Sequence, residues 1–147
     1  MPNIIQFEIV TPERIVLEEG VTQVTVPTKD GEITVLPNHI PLVSILVPGV
    51  IEVKLPNGDI EVMSVSGGFI EVLKEKVVIL ADTAERAEEI DLMRAEEART
   101  RAEEMKKSET SFDRTKFAQL SALIEKELAR TRAAKRYRRL KNLDGGK

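Results

Sequence analysis

The chain has 147 residues, a net charge of −3 and an apolar fraction of 41%, which suits one moderate or two small globular domains. Aromatic residues make up only 3%, so any core is aliphatic, and the lack of cysteine excludes disulfides, thiolate metal sites and cysteine nucleophiles together. The longest apolar runs, such as Ile40 to Val47, are broken by residues like Pro41 and Ser44, and MPNIIQFEIV lacks the charged start and long apolar stretch of a signal peptide; a cytosolic chain without a membrane span is expected.

Up to about Asp82 the sequence alternates with period two. Val21 to Val26, Ile51 to Leu55 and Ile60 to Val65 interleave β-branched and polar residues as strands do. Turn signals separate them: Lys29-Asp30-Gly31, Gly67-Gly68 and, most clearly, Pro56-Asn57-Gly58-Asp59, since Asn-Gly accepts the positive φ of a tight hairpin. About eight to ten short strands with no helical pattern between them predict an antiparallel β-sandwich or flattened barrel.

At Asp82 the period changes. Asp82 followed by Glu85 reads as an N-cap and capping box, and neither Gly nor Pro recurs until Gly145. Two helices are expected, over 84–106 and 113–141, separated by the polar break Lys106 to Ser111, with Thr110 or Ser111 available to cap the second. The fold class is therefore α+β, a sandwich over 1–82 followed by a helical hairpin over 83–147. The apolar stripe of the first helix (Ala87, Ala95, Ala98, Ala102, Met105) is thin, and the second offers Phe117, Leu120, Ile124 and Leu128. At about 0.8 kcal/mol per buried methylene such a pair gains only a few kcal/mol before entropy is subtracted, so it reads as a mobile element.

Charge is distributed unevenly. Residues 126–147 carry +7 and residues 1–125 carry −10, which predicts an acidic partner for the tail, either elsewhere in the chain or on another protein. A nucleic-acid partner is not expected, because Tyr137 is the only aromatic residue of the basic stretch and no recognition motif precedes it.

Catalysis finds no equipment in this sequence. His39 is the only histidine and reads as a structural or interface residue of a loop stiffened by Pro37 and Pro41. No GxxxxGK[ST] loop and no metal-ligand cluster is present. The notable constellation is helical. Asp91, Arg94, Ala98 and Arg101, spaced by three, four and three residues, project within about 80° of arc. Arg132 and Arg136 form an i, i+4 pair on the second helix. Antiparallel folding would bring guanidinium groups toward a carboxylate, a set suited to phosphate oxygens. The same Asp91–Arg94 spacing also reads as an ordinary surface ion pair.

Six pieces, in this order, carry a resemblance: Gly31-Glu32, Leu36-Pro37-Asn38-His39-Ile40-Pro41-Leu42, Pro48-Gly49-Val50, Ser66-Gly67-Gly68-Phe69-Ile70-Glu71-Val72, Ile79-Leu80-Ala81-Asp82-Thr83-Ala84 and Ile90-Asp91-Leu92-Met93-Arg94-Ala95. Together they resemble the ε subunit family of F-type ATP synthases. The resemblance implies a non-catalytic subunit whose sandwich binds the γ subunit and the c-ring, with Glu32 and His39 at that rotor and stalk interface. It implies that the helical pair permits rotation when folded and opposes ATP hydrolysis when extended, its tail residues Arg136, Arg138 and Arg139 meeting acidic segments of the α and β subunits. Ile90, Asp91, Arg94, Ala95 and Arg101 match the I(L)DxxRA nucleotide motif of bacterial members, and Arg132 and Arg136 its second-helix arginines, so ATP is implied as a regulatory ligand, with no catalytic cofactor and no metal. The implied location is the cytoplasmic side of the cell membrane, held there through the complex. The competing class is a stand-alone nucleotide-sensing or binding module unrelated to a rotary motor.

Overall fold

The computed structural model describes residues 3–108 and 113–145, with side chains as far as Leu143. Ten strands form: β1 (Ile5–Val10), β2 (Ile15–Val21), β3 (Gln23–Thr28), β4 (Gly31–Val35), β5 (Leu42–Leu46), β6 (Gly49–Lys54), β7 (Ile60–Val65), β8 (Gly68–Val72), β9 (Lys76–Ala81) and β10 (Ala84–Arg86). They make one sheet in the order β10-β7-β6-β3-β5-β8-β9-β1-β2, with β4 paired to β3, and the two ends of this order approach each other. The sheet thus closes into a sandwich around an aliphatic core.

Alternation fills that core. Ile5, Phe7 and Ile9 of β1, Val24 and Val26 of β3, Ile51 and Val53 of β6 and Val77 and Ile79 of β9 are all buried, with more exposed residues between them. The expected all-antiparallel pairing needs one correction: β1 and β9 run parallel, with Phe7 opposite Val77 and Ile9 opposite Ile79. The 65 residues between these strands provide the long crossover that a parallel pair requires.

Glycines act at two places. Gly58, with φ of 92°, turns the β6–β7 hairpin, where Leu55 N–H donates to the Asp59 carbonyl at 2.8 Å. Gly68 lies within β8 rather than in a turn; at φ of 135° a Cβ there would sit 2.1 Å from the Leu80 carbonyl oxygen. Close strand approach, not chain reversal, is what requires glycine at this position.

The helical part starts later than expected. Ala84 to Arg86 is a strand, paired with Val65 to Met63 of β7, and Ala84 belongs to the sandwich core. Local helix propensity at 84–86 loses to an unfilled sheet edge beside β7. A 3-10 turn over Ala87–Glu89 follows, then α1 (Leu92–Ser108) and α2 (Arg114–Gly145). The cap of α1 is Asp91 rather than Asp82: its Oδ1 accepts the Arg94 backbone N–H at 3.1 Å. Asp113 caps α2, accepting the N–H groups of Thr115 and Lys116 at 3.0 and 3.2 Å, while the expected caps Thr110 and Ser111 lie outside the described residues.

At 1.5 Å per residue α2 is about 48 Å long. It packs along α1 on one side and across β6 and β7 on the other. The seam is made of Val62, Ala87, Ile90, Ala95, Ala133 and Ala134, a cluster separate from the sandwich core. The apolar stripe anticipated on α2 is only partly used: Leu120 is buried, Ile124 and Leu128 are half-buried, and Phe117 is 50% exposed. Met105, expected on the α1 stripe, is 51% exposed.

Candidate functional site

A network of charged side chains lies at the junction between α2 and the sandwich. Arg130, on the sheet-facing side of α2, donates from Nε to Glu85 of β10 at 2.7 Å and from Nη1 to Glu127 at 2.9 Å. Glu127 is 5% exposed and would be costly there without a partner. Burial works against the Arg130 charge, but the hydrogen bonds and charges of Glu85 and Glu127 outweigh it and hold its pKa above the usual arginine value. Six residues further on, Arg136 donates from Nε to Glu52 of β6 at 2.6 Å. Lys135 pairs with Glu96 of α1 at 3.5 Å. Part of the basic tail therefore finds its acidic partner within the chain.

Each residue of the anticipated phosphate set can be placed. Asp91 places one carboxylate oxygen on the helix cap and the other 3.6 Å from Arg94 Nε, so the local ion pair expected as the alternative to a phosphate set is formed. Arg94 is 84% exposed at its side chain. Ile90 is buried, and its N–H donates to the Ala87 carbonyl at 3.1 Å. Ala95 is fully buried in the seam, where it admits α2 rather than a base. Arg101 and Arg132 are exposed. Arg101 borders an open groove shared with Met93, Glu96, Glu97 and Thr100, none of which belongs to the set.

Helical phase separates these groups in the folded state. Arg94 and Arg101 lie about 20° apart on α1, whereas Glu96 lies about 200° round from Arg94 at 100° per residue. Glu96 faces Lys135, and Arg132 is within about 60° of Lys135 on α2. Arg94 and Arg101 thus project from one flank of the helical pair and Arg132 from the other, while Arg136 is held on the sheet by Glu52.

The sandwich surface carries a second feature. Ile45 of β5, Phe69 of β8 and Leu80 of β9 are direct cross-strand neighbours and are 48%, 54% and 55% exposed. Val10 of β1 continues the row opposite Leu80. Glu32, on β4 opposite Pro27, is exposed. His39 is half-buried with Nδ1 2.7 Å from the Ile40 carbonyl, a bond that places the proton on Nδ1. Asn38 beside it adopts φ of 63°, and Ile40 is 75% exposed. Arg138 and Arg139 are exposed on the last turns of α2.

Sequence reasoning missed Arg130, Glu127, Glu85 and Glu52 as a set. The Glu127–Arg130 spacing of three residues is a visible signal, but Glu85 and Glu52 are 45 and 84 residues from their partners and carry none. Among the described residues, no group of three or more His, Asp or Glu side chains is arranged to hold a metal ion.

Comparison with known proteins agrees with this architecture. Residues 4–87 match the family described as ATP synthase, Delta/Epsilon chain, beta-sandwich domain. The chain is 46% identical over 134 residues to the ATP synthase epsilon chain of Chloroflexus aggregans, covering 91% of this chain and 94% of that protein. It is 44% identical over 131 residues to that of Herpetosiphon aurantiacus, covering 87% and 96%. Among solved structures it resembles a chain in the cryo-EM structure of the Euglena gracilis mitochondrial ATP synthase, OSCP/F1/c-ring in rotational state 1, with a TM-score of 0.76 and 28% identity over 88% of this chain and 80% of that one. A chain of the Tetrahymena thermophila mitochondrial ATP synthase central stalk and c-ring structure shares the fold at a TM-score of 0.58 and 14% identity. With a matched sandwich that spans more than half of its length and relatives this similar through the helices as well, the chain belongs to the epsilon chain family of ATP synthases.

Proposed function

We propose that this chain is a central-stalk subunit of an F-type ATP synthase whose sandwich docks on the γ subunit and c-ring and whose helical pair is a releasable brake on ATP hydrolysis. Epsilon chains of this family are not themselves catalytic. The observation that carries the brake is the modest attachment of α2 to the sandwich: a small, alanine-rich seam separate from the sandwich core and two ion pairs, Arg130–Glu85 and Arg136–Glu52. An attachment of this kind exchanges folded and released states at low cost. Released, α2 would present Arg136 together with the exposed Arg138 and Arg139 to acidic surfaces of the α and β subunits. The exposed row Ile45–Phe69–Leu80 supports docking of the sandwich on a partner, since contiguous apolar surface of this kind marks interaction sites. Glu32 and His39 serve the rotor-facing loop in this reading.

ATP as a regulatory ligand rests here on Asp91, Arg94 and Arg101 alone, displayed on one flank of α1. It would favour the folded pair only through a higher affinity for that state. Arg132 and Arg136 stand apart from this flank in the folded pair, Arg136 on Glu52.

The brake is tested in the reconstituted complex. The chain has no cysteine, so cysteines introduced at 52 and 136 and joined by a short bis-maleimide clamp the folded pair cleanly. Clamping, or deletion of residues 126–147, should raise ATP hydrolysis while the subunit stays bound. Unchanged hydrolysis in both complexes, with the subunit shown to be present, would refute an inhibitory role for α2.

A further inference from the structure

Among the described residues of α2, Leu120 is the one large apolar side chain that is buried; the other buried residues are Ala129, Ala133 and Ala134 together with two polar ones, Glu127 and Thr131. Polar groups at this depth need partners, and where those partners sit decides what happens when the helix moves. Both find them on α2 itself. The Thr131 hydroxyl donates to the Glu127 carbonyl, one turn back, at 2.8 Å. The Glu127 carboxylate accepts from Arg130 Nη1, three residues on, at 2.9 Å. The remaining bond of this group, from Arg130 Nε to Glu85 at 2.7 Å, reaches the sheet, and there the Glu85 side chain is 39% exposed.

A helix arranged in this way leaves little behind when it departs. Glu127, Arg130 and Thr131 keep their bonds to one another and gain water, while Glu85 stays at a surface where water replaces the guanidinium. Docking has the opposite balance. It strips water from an i, i+3 ion pair that the free helix already holds, so the attraction between Glu127 and Arg130 is not gained on docking and cannot offset their desolvation. We propose that Glu127 and Arg130 are a release element: a buried ion pair carried whole by α2, which holds the folded helical pair less firmly than apolar side chains of the same size would hold it. This deepens the releasable pair proposed above and rests on it for its consequence in the motor, whereas the effect on the folded chain does not.

Hydrogen exchange of the full chain reads the opening of α2. Leucine and methionine match glutamate and arginine in helix propensity, so Glu127→Leu/Arg130→Met changes the burial of charge and little else along the helix. Arg130→Met alone should speed exchange of α2 amides roughly a hundredfold, because it strands a buried carboxylate. The double variant should reverse the sign and slow them about tenfold relative to the parent chain, with the amides of β3 and β6 unchanged. Glu127→Met/Arg130→Leu offers a second apolar arrangement, and slower exchange in either double variant supports the proposal. Exchange at the parent rate or faster in both would overturn it, as would failure of both to accumulate as folded chains, since apolar side chains would then not fit where the ion pair sits. In the reconstituted complex the more firmly held chain should also raise ATP hydrolysis. Slower exchange with unchanged hydrolysis would count against the brake and leave the release element standing.

Discussion

Arg130 on α2 and Glu85 on β10 are 45 residues apart in sequence and share a 2.7 Å hydrogen bond that ties the helical pair to the edge of the sandwich. The pair exists because residues 84–86 form a strand. Had α1 begun at Ala84, Glu85 would project from a helix and Arg130 would lose its partner on the sheet.

Arg130→Ala should loosen the helical pair more than any other single change on α2. It removes the contact to Glu85 and leaves Glu127, 5% exposed, without its cation. Allowing for the 21% exposure of the Arg130 side chain, about 2 to 3 kcal/mol should be lost from the opening of α2. Hydrogen exchange checks this: amides of α2 should exchange faster while those of β3 and β6 keep their protection.

Glu61 should make the sandwich less stable at neutral than at mildly acidic pH. Burial, reinforced by Glu19 and Glu88 against the opposing Arg86, raises its pKa above the ordinary value of 4.5, and its Oε2 is buried without a hydrogen-bond partner. Because the folded pKa is the higher one, the folded state binds the proton more tightly. The ionised carboxylate is thus a penalty above the folded pKa, relieved as pH falls through it and complete only below 4.5. Thermal melting across this window should show stability rising toward acid relative to Glu61→Gln. Parallel curves for the parent and the variant would contradict the argument.

Gly68→Ala and Gly58→Ala should differ sharply although both residues have positive φ. A Cβ at Gly68 meets the Leu80 carbonyl oxygen at 2.1 Å, in a strand that cannot move without disturbing its pairing to β9. At Gly58 a Cβ has nothing within 4 Å. Gly58→Ala should cost about 1 kcal/mol, and Gly68→Ala about 3 kcal/mol or more, including failure to accumulate as folded protein. Denaturant titration of the two variants decides it.

The two roles available to Asp91 can be separated. Asp91→Ala should lower the helicity of α1 through loss of the cap, by about 1 kcal/mol, whereas Asp91→Asn should retain most of it. If ATP binds the Asp91, Arg94 and Arg101 flank, Arg94→Ala should weaken it by about 1.5 to 3 kcal/mol without altering the cap. Calorimetry that detects no heat at millimolar ATP would remove the nucleotide from the regulatory scheme.

Much of the architecture is written locally. Period-two alternation from Ile5 onward, Asn57-Gly58 at a hairpin and a glycine- and proline-free run from Ala84 to Asp144 specify strands, a turn and helices within a few residues of themselves, because side-chain direction and backbone freedom are local properties. The thinness of the alanine seam was legible for the same reason, and so was the exclusion of cysteine chemistry. Tertiary structure alone decided the rest. Ala84 to Arg86 became β10 because β7 offered unpaired backbone groups, a vacancy no window around Ala84 can register. The parallel pairing of β1 with β9, the choice of Asp91 over Asp82 as the cap, and the capture of Arg136 by Glu52 depend on which distant surfaces the closed sheet brings together. The same reason placed Arg94 and Arg101 on one flank and Arg132 on the other: helical phase is readable along each helix, but the rotation of one helix against its neighbour is set by which small side chains, here Ala95, Ala133 and Ala134, permit the closest approach.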